Sequence, residues 1–220
     1  DAMETRYSTH AVFELFDANS DGDDLLLGDK RLPLLRQQKP KSTGAPNLCL
    51  ADFVRPLSSG IKDKVGAFAT TVDAGIEYDY KNDDYKQMMA KVLGERLAEA
   101  TAERMHEEVR KHYWGYAPDE HFEPQELLRE PYQGIRPAIG YPSLPDTSVN
   151  FLLNELINMG SIGIHLTPTG MMQPHASVSG LMFAHPQSKY FDLGKIGEDQ
   201  LADYAKRRGV PLYMIKKFVQ

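Results

Sequence analysis

The sequence predicts an α+β protein, in which an antiparallel sheet packs against separate helices. Short apolar runs separated by turn residues, typical of strands, dominate the first 72 residues. One long segment after them has apolar residues at three- and four-residue intervals, which indicates a helix. A chain of 220 residues can bury one good core or at most two small ones, and we expect a single domain over residues 1–220.

The chain begins with a predicted hairpin. Residues 11–16 are largely apolar and aromatic and predict a strand, which the acidic run 17–24 follows. This run resembles the front half of a calcium-binding loop, but Gly28 stands where the loop needs a glutamate ligand. We therefore predict the tight turn of a β-hairpin and no metal site. Residues 31–36 continue as strand-like or irregular chain, and residues 37–47 are a predicted loop.

Two further β segments are predicted at residues 48–54 and 65–72, and the second is rich in small side chains that permit close packing. The one cysteine of the sequence, Cys49, lies in the first of these segments. We expect a buried, unreactive thiol there. A single cysteine also excludes an internal disulfide and a cysteine metal site, which fits a reducing compartment.

One long helix is predicted at about residues 82–113, starting from Asn82 as N-cap and about 45 Å in length. Its predicted buried stripe consists of Tyr85, Met89, Val92, Leu93, Leu97, Ala100, Met105 and Val109. Glu99 lies on nearly the same face as this stripe, whereas we expect Glu95 and Glu103 in water. A carboxylate beside a buried stripe needs a cation, so Glu99 either forms a structural salt bridge or binds a ligand.

The last third of the sequence predicts short helices and strands that alternate. Helices are predicted at residues 124–130, 148–159, 199–208 and 211–219, and strands at residues 162–166 and 176–183. Ser148 is a possible N-cap residue, and Gly160 and Gly209 are expected to end two of these helices.

Residues 130–146, E-P-Y-Q-G-I-R-P-A-I-G-Y-P-S-L-P-D, contain four prolines and two glycines, so they form neither a helix nor a central strand. We predict a fixed, irregular loop that holds backbone amides and carbonyls in place. The planar guanidinium of Arg136 suits a carboxylate, and with Tyr132 and Tyr141 it could bind a small zwitterion that has an aromatic part. The residues alone leave open a plain proline-rich connection with a salt-bridged arginine.

Composition and motifs exclude several classes of function. The net charge of −6 provides no general attraction to nucleic acid, and no apolar run approaches the ~18 residues that span a membrane. We therefore expect no nucleic-acid or membrane partner and a cytoplasmic location. Hydrolase and nucleotide-binding motifs are missing, and the histidines lie in unlike contexts. We predict no catalytic acid or base and no metal.

A cluster of basic residues near the C-terminus has two interpretations. The cluster consists of Lys206, Arg207, Arg208, Lys216 and Lys217. We favour solvated cations near helix C-termini, where the helix dipole stabilises them. The alternative is a docking surface for an acidic partner.

Several ordered motifs resemble the activation domain of cobalamin-dependent methionine synthase. They are Y-W-G-Y-A-P at 113–118, Y-Q-G-I-R-P-A at 132–138, A-S-V-S-G at 176–180, H-P-Q-S-K-Y-F at 185–191 and I-G-E-D-Q-L-A-D-Y-A at 196–205. The run R-P-A-I-G-Y-P-S-L-P-D resembles the family's S-adenosylmethionine-binding motif. The resemblance covers residues 10–219 and implies a C-shaped α+β domain whose twisted antiparallel sheet is flanked by helices.

The resemblance implies a methyltransferase module that binds S-adenosylmethionine and donates its methyl group when cobalamin has been oxidised to the cob(II) form. An electron from flavodoxin or a flavoprotein reductase would make cob(I)alamin, which attacks the sulfonium methyl. The cobalamin would be carried by a neighbouring domain or another chain, without which the module is inactive. A non-catalytic S-adenosylmethionine-binding sensor, or docking module for a corrinoid protein, is the alternative.

The resemblance also implies a set of S-adenosylmethionine-binding residues: Arg136, Ala138, Gly140, Tyr141, Tyr190, Phe191, Glu130 and Glu99. Arg136 would pair with the methionine carboxylate, assisted by the hydroxyl of Tyr190. The family has a further acidic ligand upstream of its first strand, and no residue of this sequence matches it. We expect that this N-terminal segment is lacking and that affinity is reduced.

The other implied residues divide into two groups. Backbone groups of Ala138 and Gly140, with Tyr141 alongside, would hold the adenosine. Glu130 and Glu99 would lie near the sulfonium and the amino group.

Overall fold

The computed structural model describes residues 6–39, 44–127 and 129–219. Its strands are β1 (Thr9–Asp21), β2 (Asp24–Leu27), β3 (Lys30–Pro33), β4 (Asp63–Val72), β5 (His165–Leu166), β6 (Met172–Gln173) and β7 (Ser177–Met182). An antiparallel five-stranded sheet has the order β3-β2-β1-β4-β7 and is curled into a half-barrel, while β5 and β6 pair separately. The predicted α+β class is confirmed.

Helices pack around this sheet. The described α-helices are α1 (Gly75–Tyr78), α2 (Asp84–Glu108), α3 (Pro124–Leu127), α4 (Val149–Ile157), α5 (Glu198–Arg208) and α6 (Leu212–Phe218). Helix α2 continues into a π-helical turn, Val109–Tyr113, so the predicted long helix is confirmed with 30 helical residues. Its N-cap is Asp83 instead of Asn82, because the Asp83 side chain accepts a hydrogen bond from the backbone of Lys86.

The predicted hairpin at the N-terminus is present, but its first strand is longer than residues 11–16. Asp17 and Asp21, which were assigned to the turn, still belong to β1, and Asp21 pairs with Asp24 of β2 across a two-residue turn. Gly22 there has a φ of 60°, which favours glycine. The strand tolerates Asp17 because Lys62 and Lys64 each bind its carboxylate at 3.1 Å.

The predicted strand at residues 48–54 is wrong. Leu50–Phe53 form a 3₁₀ turn, which the carboxylate of Asp52 caps by accepting a hydrogen bond from the backbone of Cys49 at 2.8 Å. A short apolar run is compatible with a buried helical turn as well as with a strand, so its composition could not distinguish the two. Cys49 is buried as expected, and burial raises the pKa of its thiol to about 12.

The predicted strand at residues 65–72 is confirmed as β4, which is buried on both faces. Val65, Ala67 and Ala69 face the main core, where α4 also packs. On the other face, Phe68 and Val72 belong to the clusters that include α2. The sheet therefore separates two cores, and α2 covers the second.

The predicted buried stripe of the long helix is wrong over its first half. Helix α2 buries Ala90, Gly94 and Ala98, whereas the larger side chains of the predicted stripe are exposed. Tyr85, Met89, Val92, Leu93 and Leu97 are each 38–68% exposed. The helix lies too close to its neighbours for large side chains, since a Cβ on Gly94 would already lie 3.1 Å from the Cβ of Ala176.

In the last third of the chain, the helices and strands mostly have the predicted type, but several differ from the prediction in their bounds. The strand at residues 176–183 and the two C-terminal helices are confirmed as β7, α5 and α6, and Gly209 ends α5. Helix α4 ends at Asn158, which adopts a left-handed φ of 47°, and not at Gly160. A 3₁₀ turn occupies Met159–Ile162, so only β5 remains of the strand predicted at 162–166. The helix predicted at 124–130 is confirmed only as α3; Leu128 lies outside the described residues.

The basic cluster near the C-terminus is largely involved in ion pairs within the domain. Arg207 binds Asp203 and Asp24, and Arg208 donates a hydrogen bond to Ser148. Lys206 is exposed, as expected for a solvated cation. Because Asp24 and Asp203 already bind Arg207, this arginine is not available to an acidic partner, which disfavours the docking surface.

The proline-rich loop is fixed because its middle pairs with β7. Ile135 and Phe183 exchange two backbone hydrogen bonds of 2.9 Å, and the backbone N–H of Ile139 donates to the carbonyl of Ser179 at 2.9 Å. Side chains alternate along residues 135–139, so those of Ile135 and Ile139 enter the main core. The intervening residue Arg136 is directed to the opposite face, towards α2.

Gly180 on β7 permits this close approach. A Cβ there would lie 2.3 Å from the carbonyl oxygen of Pro137 and 2.9 Å from a ring carbon of Phe68. We expect Gly180→Ala to push the loop off the strand and to lower the free energy of unfolding by about 2 kcal/mol. Gly160→Ala is the control, because its Cβ would meet only a side-chain oxygen, at 3.4 Å. Equal denaturation midpoints for the two variants would contradict this role of Gly180.

Candidate functional site

A cleft of about 600 Å³ opens between the proline-rich loop, α2 and the chain that follows β7. This volume lies in the range of small-molecule sites. Seven of the eight candidate residues line the cleft: Glu99, Glu130, Arg136, Ala138, Tyr141, Tyr190 and Phe191. Gly140 does not line it, and its backbone N–H donates to the carbonyl of Leu144 at 2.8 Å. The positive φ of Gly140, 86°, turns the loop just before Tyr141.

The floor of the cleft is apolar and was not predicted. It consists of Phe68 from β4, Ala102 from α2 and Val178 from β7. These residues come from three elements that are distant in sequence, and the pairing of β4 with β7 and the packing of α2 against these strands bring them together. An apolar floor with polar groups at its edge is the usual composition of a ligand site.

Arg136 and Tyr190 form one polar wall of the cleft. The backbone N–H of Arg136 donates to the hydroxyl oxygen of Tyr190 at 3.0 Å, which leaves the phenolic proton free to donate elsewhere. Burial raises the pKa of Tyr190, so the hydroxyl stays protonated. In the described part of the chain, Nη1 of Arg136 has no hydrogen-bond partner, while Nη2 binds a carboxylate.

That carboxylate belongs to Glu103, which was expected in water. Its Oε2 accepts from Arg136 Nη2 at 2.5 Å and from the hydroxyl of Tyr132 at 3.3 Å. The side chain is 21% exposed. The expectation was wrong because it assumed that α2 buries its large apolar residues. Although burial alone would lower the pKa of Arg136, the charge of Glu103 raises it overall, so the guanidinium stays charged.

Three carboxylates, all different from that of Glu103, line the cleft and make it acidic. Glu99 binds Arg96 at 2.7 Å, but its side chain is 44% exposed and the pair contributes little to stability. Glu130 adopts a left-handed φ of 48°, which is unusual for a residue with a side chain. Asp192, which was not predicted, lies beside Phe191. Because Glu103 already neutralises Arg136, the cleft suits a ligand that carries positive charge.

Comparison with known proteins decides the family. Residues 2–209 match the family described as Vitamin B12 dependent methionine synthase, activation domain. The chain belongs to this family. Its structure is similar to the crystal structure of the MetH reactivation domain bound to AdoHcy, with a TM-score of 0.91 and 43% sequence identity. This match covers 98% of the activation domain described here and 70% of that chain. The resemblance found in the sequence is confirmed.

A buried polar network lies behind the Arg136 wall of the activation domain. Arg110 is fully buried and binds the carboxylate of Glu120 through Nε at 2.9 Å and Nη2 at 2.6 Å. Its guanidinium lies 3.8 Å from the ring centre of Tyr132. Burial, then the charges of Arg110 and Arg136, hold the pKa of His106 well below its usual value. The neutral ring accepts from Arg110 Nη1 through Nδ1 at 2.9 Å.

The π-helical turn Val109–Tyr113 is where Arg110 enters this network. A π-helical turn contains one more residue than an α-helical turn and so rotates the side chains that follow it. The sequence showed no breaker residue here, and the prediction of one continuous helix could not detect the change. The turn ends one residue before Trp114, and Ala117 then donates to the carbonyl of Arg110 at 3.0 Å.

Within the described residues, each helix is too short or too polar to cross a bilayer. In the same part of the chain, no three His, Cys, Asp or Glu side chains lie together in a way that could hold a metal ion.

Proposed function

We propose that this activation domain binds S-adenosylmethionine in the cleft and supplies its methyl group to return an oxidised cobalamin to its methylated form. The main support is the Arg136 and Tyr190 wall of a cleft of ligand size. The domain is also 43% identical to one whose crystal structure contains AdoHcy. AdoHcy is what remains of S-adenosylmethionine after its methyl group has been transferred.

The polar wall fits the carboxylate of the methionine part. Nη1 of Arg136 and the phenolic proton of Tyr190 are donors without a partner in the described structure, and the two residues are in direct contact. A carboxylate can accept hydrogen bonds from both donors, and hydrogen bonds that involve charged groups are stronger than those between neutral groups. We propose that Arg136 and Tyr190 bind this carboxylate.

The adenosine would lie between the loop and the chain after β7. Tyr141 and Phe191 line the cleft from these two segments and offer aromatic surface for the adenine. Ala138 would contribute backbone groups. Because the N–H of Gly140 is used within the loop, we propose that Gly140 acts through its left-handed conformation, which brings Tyr141 to the cleft.

Glu99 and Glu130 would face the sulfonium and amino groups of the ligand. Both are partly exposed, so water screens their charges. A strong attraction would stabilise the sulfonium more than the charge-dispersed transition state and would slow transfer. Weak, exposed carboxylates therefore suit a donor that must give up its charge.

In the proposed reaction, one electron from flavodoxin or a flavoprotein reductase first reduces the cob(II)alamin substrate, which a neighbouring domain or another chain carries. The C–S bond of the sulfonium then breaks, a Co–C bond forms, and the electron pair of the C–S bond stays on sulfur. No proton moves, so no acid or base is needed, and orientation of the methyl group is the main contribution of the protein. We place this reaction in the cytoplasm, which the buried free thiol of Cys49 supports.

The proposal is tested by mixing the domain with a cobalamin-carrying domain in the cob(II) form, reduced flavodoxin and S-adenosylmethionine. We expect the absorbance of methylcobalamin to appear, and to be absent when AdoHcy replaces S-adenosylmethionine. If the domain binds S-adenosylmethionine but forms no methylcobalamin, methyl transfer is refuted and the non-catalytic sensor or docking module is supported instead.

A further inference from the structure

Glu103 lies between two guanidinium groups of different accessibility. Its Oε2 binds Arg136, which lines the cleft. Its Oε1 is buried, has no hydrogen-bond partner in the described structure, and lies 3.9 Å from Nη1 of the fully buried Arg110. Neither Glu103 nor Arg110 lines the cleft. A ligand in the cleft therefore contacts neither residue directly, but it can contact Arg136, which Glu103 binds.

Arg110 is held on several sides, so its guanidinium cannot move when a ligand binds. Glu120 binds it with two oxygens, His106 accepts from its third nitrogen, and Tyr132 covers one face of the guanidinium. Tyr132 also donates its hydroxyl proton to Glu103. The carboxylate of Glu103 is consequently placed by groups that belong to the core.

We propose that Glu103 is a positioning residue that holds the guanidinium of Arg136 in the orientation needed for the ligand carboxylate, and that Arg110 and Tyr132 hold Glu103. This inference rests on the proposed function and specifies how the orientation of Arg136 in its binding site is maintained. Nη2 of Arg136 is occupied by Glu103, so Nη1 remains for the ligand. Without Glu103, the side chain of Arg136 would turn to the acids that line the cleft, such as Glu99 and Glu130.

Orientation should outweigh charge in this role. The amino-acid end of the ligand carries a carboxylate and an ammonium group, so the negative charge of Glu103 repels one and attracts the other. These effects largely cancel. Loss of the hydrogen bond from Arg136 to Glu103 is not offset in this way, because no other side chain in the described structure accepts a hydrogen bond from that guanidinium.

The test compares two ligands on three variants. AdoHcy has the amino-acid end, and 5′-methylthioadenosine lacks it. Glu103→Ala removes the acceptor, and Glu103→Gln removes the charge but keeps an acceptor oxygen. Glu107→Ala is the matched control, since Glu107 is on the same helix, is 21% exposed like Glu103, and binds Arg104 away from the cleft. Dissociation constants are measured by calorimetry on variants whose folding is verified by circular dichroism.

We expect Glu103→Ala to weaken AdoHcy binding about 10-fold or more, the usual scale for a hydrogen bond to a charged group, and to change 5′-methylthioadenosine binding less than about twofold. Glu103→Gln should stay within about threefold of the unmodified domain for both ligands, because the acceptor is retained. Glu107→Ala should resemble the unmodified domain.

Other results would overturn the inference. Equal losses for both ligands in Glu103→Ala would show a merely structural role. Tighter AdoHcy binding in both Glu103 variants would show that Glu103 competes with the ligand. A Glu103→Gln variant as weak as Glu103→Ala would show that charge, and not the hydrogen bond, is what counts. An unmodified domain that binds neither ligand would overturn the proposed function together with the inference.

Discussion

Replacing Arg136 with alanine should weaken binding of S-adenosylmethionine and AdoHcy by about 100-fold or more, which corresponds to about 2.7 kcal/mol. Arg136 is the one cation among the described residues that line the cleft. Its guanidinium is the natural partner of the ligand carboxylate, and no neighbouring lysine or arginine of the lining can replace it. Binding of 5′-methylthioadenosine, which has no carboxylate, should change by less than about threefold.

Calorimetry at low salt measures these affinities. Arg136→Lys should be intermediate, because an ammonium group keeps the charge but lacks the planar fork of the guanidinium. Arg96→Ala is the control: it removes the same charge beside Glu99, but its side chain is 74% exposed and does not line the cleft. An Arg136→Ala variant that binds AdoHcy as tightly as the unmodified domain would show that the carboxylate binds elsewhere.

The proline-rich loop shows how much of the site the sequence could predict. Its prolines and its single arginine indicated a fixed loop that presents a guanidinium, and the structure has both. Burial alternates along Ile135, Arg136, Pro137, Ala138 and Ile139 in the structure, but the sequence does not show this, because Ala138 is as apolar as the buried residues. The pairing of this segment with β7 therefore could not be predicted from its residue types.

Tyr190 illustrates what the sequence could not provide by pattern. It lies 54 residues after Arg136, and only the family resemblance brought the two together before the structure did. Their contact depends on the pairing of the loop with β7, which a glycine at position 180 permits. Such a contact between distant segments has no local signature.

The long helix was predicted in length but not in orientation. The apolar pattern predicts that the largest side chains are buried, whereas the first half of α2 buries small residues because the helix lies too close to its neighbours for larger ones. This single error displaced Glu103 from the predicted site and left the role of Arg110 unrecognised. Backbone distance, which hydropathy does not encode, decides which face of such a helix is buried.

Replacing Arg110 with methionine should give the largest loss of stability, about 3–5 kcal/mol, because it leaves the carboxylate of Glu120 buried without its partner. The Glu120 side chain is only 5% exposed and the Arg110 side chain is completely buried. For a domain of this size the loss corresponds to a fall in Tm of roughly 6–20 °C. Thermal and urea denaturation measure it.

Arg104→Met is the matched control, because Arg104 is on the same helix and binds two glutamates, but is 66% exposed. Its removal should change stability by less than about 0.5 kcal/mol, since water already screens its ion pairs. Combining Arg110→Met with Glu120→Met should recover at least about half of the loss, because the cost comes from the unpaired buried charge more than from the missing attraction. If the double variant is no more stable than Arg110→Met alone, Arg110 stabilises the domain mainly through its packing on Tyr132 and its contact with His106, and not by compensating Glu120.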